Sequence, residues 1–168
     1  MLSKNDFIAD PAKQQVLITR IFEAPIDLVF SMWTNPKYLA IWWGPEKNTN
    51  PVCEMDVRPG GTIRIAMQME NRQLVHVTGI FNEVSPPHRL VFTTLKDENG
   101  KAGLEVLHTV ILTEANGHTK LCMEVTIIKT SPEFMTSCQG MESGWNQSFD
   151  RLTQLLILEN NKPIKIKR

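Results

Sequence analysis

The sequence predicts an α+β domain in which an antiparallel β-sheet packs against one long C-terminal helix. Between residues 49 and 129, apolar and polar side chains alternate with a period of two, which is typical of strands with one buried face. From Phe134 to Leu156, apolar side chains recur every three or four residues, as on a helix with one buried face. The 168 residues, 42% of them hydrophobic and 21% charged, suffice for one folded domain with its own core.

The N-terminal part of the chain predicts one strand followed by two short helices. The β-branched segment "QQVLITRIFE" (14–23) is the first strand. Pro25 suits the first position of a helix, and apolar residues recur at helical spacing from Ile26 to Trp33. Pro36 ends that helix and begins a second one, "PKYLAIWW" (36–43), which Gly44-Pro45 ends in turn.

The strands that follow are joined by tight turns. In "GGTIRIAMQME" (60–70), Ile63, Ile65, Met67 and Met69 share one face, and "LCMEVTIIK" (121–129) alternates in the same way. Between them lie "QLVHVTGIFNEV", "RLVFTTL" and "LEVLHTVILTE". Their connections are typical turn sequences, which predicts an antiparallel meander and a sheet of about seven strands in all. The turn sequences are Arg58-Pro59-Gly60-Gly61, Ser85-Pro86-Pro87, Asn99-Gly100 and Asn116-Gly117.

The long helix carries a continuous apolar stripe that must dock on the sheet, because each large apolar side chain that it buries is worth about 1.5–3 kcal/mol. The stripe consists of Phe134, Cys138, Met141, Trp145, Phe149, Leu152 and Leu156.

We expect a single domain over 1–168 with its core at about 14–160, a loose segment at 1–12 and a loose basic tail at 161–168.

Charge and composition exclude several classes of partner. Lys plus Arg and Asp plus Glu both number 18, so there is no field to attract nucleic acid or an anionic membrane. The N-terminus has no apolar segment typical of a signal peptide, and no apolar run reaches membrane-spanning length. Three scattered cysteines without metal-ligand spacing indicate reduced thiols, so we expect a cytoplasmic protein.

No metal or cofactor is expected from the motifs. His76, His88, His108 and His118 lack the spacing of a metal site. Gly60-Gly61 leads into a strand rather than a helix, which excludes a phosphate-binding loop, and the sequence contains no G-x-S-x-G motif.

Four segments in order carry a resemblance to a known family. They are "FEAPIDLVFSMWTNPKYLAIWWGP", "MDVRPGG", "GIFNEVSPPHRLVFT" and "GWNQSFDRL". From about Val16 to Leu158 the chain resembles the activator of Hsp90 ATPase-like domains of the START-like SRPBCC superfamily. This resemblance implies a helix-grip fold, in which a curved sheet wraps around the C-terminal helix and leaves an apolar cavity beneath it. Functions in the superfamily include binding of lipids and small hydrophobes, polyketide cyclisation and co-chaperone activity, so the fold does not decide the function.

The leading hypothesis is that the chain binds a small hydrophobic molecule between sheet and helix. For the adjacent tryptophans of "IWWGP" two roles stay open: both pack the helix onto the sheet, or one of them lines the cavity. His108 shares its face with apolar neighbours and is the best candidate for a polar anchor. The candidate ligand-binding residues are Trp42, Trp43, Met67, Met69, Phe92, His108, Met141, Trp145 and Phe149.

Two other functions remain as alternatives. A cyclase or hydrolase acting on an apolar substrate needs convergent polar groups in the cavity, for which the candidates are His108, Arg64, Asp56 and Glu124. By alternation Arg64 and Glu124 point away from the apolar face, so the sequence favours a binding protein over an enzyme. An Hsp90 ATPase regulator is the third hypothesis, but no charged docking stripe supports a chaperone partner. A homodimer through an exposed strand is also left open.

Overall fold

The computed structural model describes the backbone of residues 6–10, 14–98, 101–129 and 140–162, and the side chains of 14–97, 103–129 and 140–162. Eight antiparallel strands form one sheet, in the order β1-β2-β8-β7-β6-β5-β4-β3. The strands are β1 (Asp6–Asp10), β2 (Gln15–Phe22), β3 (Thr49–Met55), β4 (Thr62–Gln68), β5 (Leu74–Ser85), β6 (Arg89–Glu98), β7 (Lys101–Ala115) and β8 (His118–Lys129).

The sheet has one strand more than the sequence predicts. Strand β1 lies within the segment 1–12 that was expected to be loose, and it pairs with β2 at the edge of the sheet, Phe7 opposite Ile18. Five residues are too few for an alternation of apolar and polar side chains to identify a strand from the sequence. The segment is ordered because it pairs with β2. The rest of that segment, the predicted turn Asn99-Gly100 and the tail from residue 163 lie outside the described residues.

Within the described residues, three helices accompany the sheet: α1 (Ile26–Thr34), α2 (Pro36–Trp42) and α3 (Met141–Asn160). Pro25 is the N-cap of α1, one position earlier than predicted, whereas Pro36 occupies the first turn of α2. Asn35 caps α2, since its side chain accepts a hydrogen bond from the Lys37 N–H at 3.0 Å. Phe134 and Cys138, the first two members of the predicted helical stripe, lie outside the described residues.

The inner face of the sheet, α1 and α3 enclose the hydrophobic core. The predicted inward residues of β4 and β8 are buried there, except Met69 and Ile127, which are partly buried and pack against the core. From α3, Phe149, Leu152 and Leu156 are buried, as the stripe predicts. The α+β prediction, a curved antiparallel sheet gripping a long C-terminal helix, is therefore confirmed.

The predicted turn at Arg58-Pro59-Gly60-Gly61 is also confirmed, and it is a type II turn between β3 and β4. The Gly61 N–H donates to the Arg58 carbonyl at 2.8 Å, and Gly60 has a φ of +81°. The Asp56 and Arg58 side chains form a surface ion pair of 2.7 Å beside this turn.

Candidate functional site

A cavity of about 220 Å³ lies between the inner face of the sheet and the N-terminal half of α3. The sheet supplies its apolar floor from β4 to β7, and α3 supplies one wall through positions 141, 144, 145 and 148. Those four positions share one helical face by their spacing. Among the described residues, the lining consists of Trp43, Gly44, Pro45, Met67, Val77, Thr94, Lys96, Leu104, Val106, His108, Gly140, Met141, Gly144, Trp145 and Ser148.

The two adjacent tryptophans take different roles. Trp42 is wholly buried, and its indole N–H donates to the Met32 carbonyl at 2.9 Å, which joins α2 to α1. Trp43 follows the last residue of α2 and borders the cavity, with its ring centroid 5.5 Å from that of Trp145. Trp42 is the last residue of α2 and Trp43 is its C-cap with an extended backbone, so the two side chains diverge and the pair divides between core and cavity.

The Arg151 side chain binds the backbone of Trp43 and of the turn that follows it. The Arg151 guanidinium on α3 donates to the carbonyls of Trp43 at 3.2 Å, Gly44 at 3.2 Å and Pro45 at 2.9 Å. It also donates to the Ile41 carbonyl and to Asn48 Oδ1. These carbonyls lie at or just beyond the end of α2 and have no helical partner, so Arg151 satisfies them and ties α2 to α3.

Gly44 is required at this turn for two reasons. Its φ is +93°, a conformation that favours glycine, and a Cβ on it would lie 2.8 Å from the Met67 methyl carbon and 2.6 Å from Asn48 Nδ2. Its carbonyl accepts from Ser148 Oγ at 2.9 Å as well as from Arg151. The sequence prediction interpreted Gly44-Pro45 only as the end of a helix, whereas the turn also forms part of the cavity wall.

His108 is a buried, ionisable side chain in the cavity wall. Its Nε2 lies 3.0 Å from Thr94 Oγ1, and its ring stacks on Phe92 with the centroids 4.6 Å apart. Burial lowers the pKa of His108 to about 3, because the charged imidazolium loses its hydration there. The imidazole is therefore neutral at physiological pH, and its Nδ1 has no hydrogen-bond partner in the described structure.

Lys96 brings a cation to a face that is mostly apolar. It follows Phe92 and Thr94 at alternate positions of β6, so it shares their inward face. Its cross-strand partners are Val77 on β5 and Leu104 on β7, both of which also line the cavity. The ammonium group is therefore the one formal charge that the described lining carries when His108 is neutral.

The structure brings five of the nine predicted ligand-binding residues to the cavity: Trp43, Met67, His108, Met141 and Trp145. The other four do not line it. Trp42 and Phe149 are wholly buried in the core, and Met69 lies just past the end of β4. Phe92 lies beneath His108 and borders a separate void of about 10 Å³. The periodicity of the sequence predicts the face on which each side chain lies. Whether that side chain borders the cavity or is buried in the core depends on which other elements pack over it.

The polar candidates for catalysis, other than His108, lie away from the cavity. Arg64 pairs with Glu54 at 3.6 Å on the outer surface, and Asp56 pairs with Arg58 beside the turn described above. Glu124 accepts a hydrogen bond from Gln15 on the exposed face of the sheet. Within the residues that the structure describes, no three His, Cys, Asp or Glu side chains come close enough together to hold a metal ion.

Sequence reasoning missed several lining residues, above all Lys96, Thr94, Ser148 and Gly144. The predicted strand "RLVFTTL" ends at Leu95, one residue before Lys96, whereas β6 continues to Glu98. Extending the alternation Phe92–Thr94–Lys96 would have placed the lysine on the inner face. Gly144 and Ser148 follow Met141 and Trp145 at helical spacing, so the stripe itself contained the signal.

A sheet that grips one long helix over a cavity defines the START-like SRPBCC class of proteins. The chain belongs to the family described as activator of Hsp90 ATPase homolog 1-like protein, whose model matches residues 23–157. This match confirms the family that the four sequence segments indicate. Comparison with curated proteins gives no significant match.

Solved structures of bacterial proteins share the fold. A crystal structure of a Rhodobacter sphaeroides protein has a TM-score of 0.78 at 24% identity, over 93% of this chain and 99% of that one. An NMR structure from Arthrobacter aurescens has a TM-score of 0.80 at 20% identity, over 93% of each chain. The AHSA1 protein from Silicibacter pomeroyi has a TM-score of 0.72 at 25% identity, over 86% of this chain and 99% of that one.

Across the described part of the chain, none of the helices combines the length and apolar character needed to cross a bilayer.

Proposed function

We propose that this protein binds a small hydrophobic molecule in the cavity between the sheet and α3. The observation that carries the proposal is the cavity of about 220 Å³, whose lining is mostly apolar and contains a buried, neutral His108. Ligand sites commonly combine an apolar wall with a few polar groups that orient the bound molecule. An engineered apolar cavity of about 150 Å³ accepts benzene, so this one has room for a ring with a short chain.

The lining favours binding over catalysis. Its ionisable side chains in the described residues are Lys96 and His108, and a pKa of about 3 leaves His108 a weak base. Met67 and Met141 add flexible, polarisable surface that adapts to ligands of differing shape. Trp43 and Trp145 add broad aromatic surface.

Gly144 offers a test that separates binding from folding. It lines the cavity, and a Cβ added there would meet no atom of another element within 4 Å. Gly144→Leu therefore places an isobutyl group in the cavity while replacing a poor helix former with a good one, which is worth about 0.8 kcal/mol in helix propensity. Gly144→Ala is the matched control, since it gives the same gain in propensity and leaves most of the cavity open.

The measurement is a calorimetric titration with two uncharged probes, 4-phenylbutan-1-ol and 1-octanol. We expect the wild type and Gly144→Ala to bind at least one probe at one site per chain, and Gly144→Leu to bind it at least tenfold more weakly. Thermal unfolding should show that both variants are as stable as the wild type. No saturable binding by the wild type, or equal binding by all three proteins, would overturn the proposal.

A further inference from the structure

A second, smaller space adjoins the cavity on the inner face of the sheet. It is the void of about 10 Å³ that Phe92 borders, and we call it the inner void. Trp33 on α1 and Leu39 on α2 also border it, so it lies between the sheet and the two short helices. Its described lining is mostly apolar, like that of the cavity, so both spaces are suited to an apolar group.

The cavity and the inner void lie end to end along the strands. On β4, Ile63 and Ile65 border the inner void, whereas Met67, the next inward residue, borders the cavity. On β6, which runs in the same direction as β4, Phe92 borders the inner void and Thr94 borders both spaces. Inward residues follow one another at about 7 Å along a strand, so an extended ligand could cross this boundary if no side chain stood in its way.

Trp43 stands at that boundary. It and Thr94 are the described residues that border both spaces, and of the two only Trp43 has a large side chain. Trp43 is 9% exposed, and its ring packs edge-on against Trp145 and His108, with centroids 5.5 Å and 6.5 Å apart. Its backbone carbonyl accepts from the Arg151 guanidinium at 3.2 Å. The indole is therefore held through its backbone and by two rings, and it separates the cavity from the inner void.

We propose that Trp43 is the specificity-determining residue of the site, because its indole closes the cavity against the inner void and so restricts the ligand to a compact molecule. A single ring with a short side chain fits in the cavity alone, whereas a longer alkyl chain needs both spaces. This inference rests on the proposed function and narrows the class of ligand that the site accepts. Replacing Trp43 by a small residue should join the two spaces and admit longer chains.

The test compares 1-octanol with 1-decanol by calorimetry, with the protein titrated into each dissolved alcohol. A methylene group that enters apolar surroundings strengthens binding about fourfold. The two added methylenes of 1-decanol should find no room in the wild type, which we expect to bind 1-decanol no more than twofold more tightly than 1-octanol. Trp43→Ala should bind 1-decanol at least fivefold more tightly than 1-octanol. Trp43→Leu, which removes less apolar packing, should change the ratio in the same direction and replaces Trp43→Ala if that variant does not fold.

The indole N–H resonance of Trp33 shows whether the longer chain enters the inner void. Trp33 borders the inner void but does not line the cavity, and its Nε1 has no hydrogen-bond partner in the described structure. This resonance should therefore move when Trp43→Ala binds 1-decanol and stay in place when the wild type binds 1-octanol. Met67→Ala is the matched control, because Met67 lines the cavity but does not border the inner void. That variant enlarges the cavity, and 1-decanol should leave its Trp33 resonance in place.

The outcomes separate this inference from the proposed function. If the wild type binds 1-octanol but the Trp43 variant keeps the wild-type ratio, or if its Trp33 resonance does not move, the inference is overturned while the proposed function stands. The same holds if 1-decanol moves the Trp33 resonance of Met67→Ala as far as that of Trp43→Ala. If the wild type binds neither 1-octanol nor 4-phenylbutan-1-ol, both fail together.

Discussion

At the scale of single residues, His108 combines two properties that few histidines share. It is 4% exposed, and it has a hydrogen-bonding partner on one ring nitrogen only, Thr94 at 3.0 Å. Its stacking on Phe92 fixes the plane of the ring, and Trp145 packs edge-on at 5.8 Å between centroids. A neutral imidazole held in this way is suited to orienting a ligand and poorly suited to moving protons at physiological pH.

The burial of His108 predicts an acid-sensitive stability. Its pKa falls from 6.5 to about 3 in the folded protein, so between those values the unfolded chain binds one more proton than the native one. Stability must then decrease as the pH falls below 6.5, by up to about 1.4 kcal/mol per pH unit. We expect the wild type to lose about 2 kcal/mol more than His108→Gln between pH 8 and pH 5.

Urea unfolding at the two pH values measures this difference, and the His108→Gln variant cancels the contribution of every other titrating group. Identical pH profiles for the two proteins would show that His108 is readily protonated in the native state, which would contradict the buried, neutral imidazole described above.

At the scale of elements, the cavity depends on how α2 and its following turn are fastened to α3. Arg151 donates to the carbonyls of Ile41, Trp43, Gly44 and Pro45. Ser148 also donates to the Gly44 carbonyl, and Gln147 Oε1 accepts from the Glu46 N–H. At the end of a helix the last carbonyls lack intrahelical partners, and here side chains from α3 bind them together with donors from Asn48 and Asn50. Their effect is to hold the Trp43 ring against the cavity.

Removing the Arg151 guanidinium should loosen this junction. We expect Arg151→Met to lower the free energy of unfolding by about 1.5–3 kcal/mol, since it leaves several carbonyls and Asn48 without a charged donor. Amide exchange in the segment 41–48 should accelerate more than elsewhere. Arg58→Met, which removes an exposed arginine from a surface ion pair, should change stability little in the same urea titration. Similar small losses in both variants would refute the role of Arg151.

At the scale of the whole molecule, the fold was largely predictable and the site only partly so. The period of two placed Ile63, Ile65 and Met67 on the buried face of β4, and the helical stripe placed Phe149 and Leu152 in the core. Strand β1 escaped prediction because its order comes from pairing with β2 rather than from a local pattern.

The site was harder to predict because periodicity shows which side chains point inward but not which of them are covered by other elements. Trp145 and Phe149 lie one turn apart on the same stripe, yet Trp145 borders the cavity, while Phe149 packs against Phe22 with centroids 6.2 Å apart. Only the positions of the surrounding elements decide which of the two is covered. The Arg151 contacts likewise join residues more than a hundred positions apart in the chain, which no local pattern can reveal.

The measurement that tests the central claim most directly is an NMR titration of the four indole N–H resonances with 4-phenylbutan-1-ol. Trp43 and Trp145 line the cavity, whereas Trp33 and Trp42 lie beneath it in the core, with the Trp42 N–H bonded to Met32. A ligand in the cavity should shift the resonances of Trp43 and Trp145 most and those of Trp33 and Trp42 least. Four unmoved resonances, or a shift centred on Trp42, would contradict a binding site between the sheet and α3.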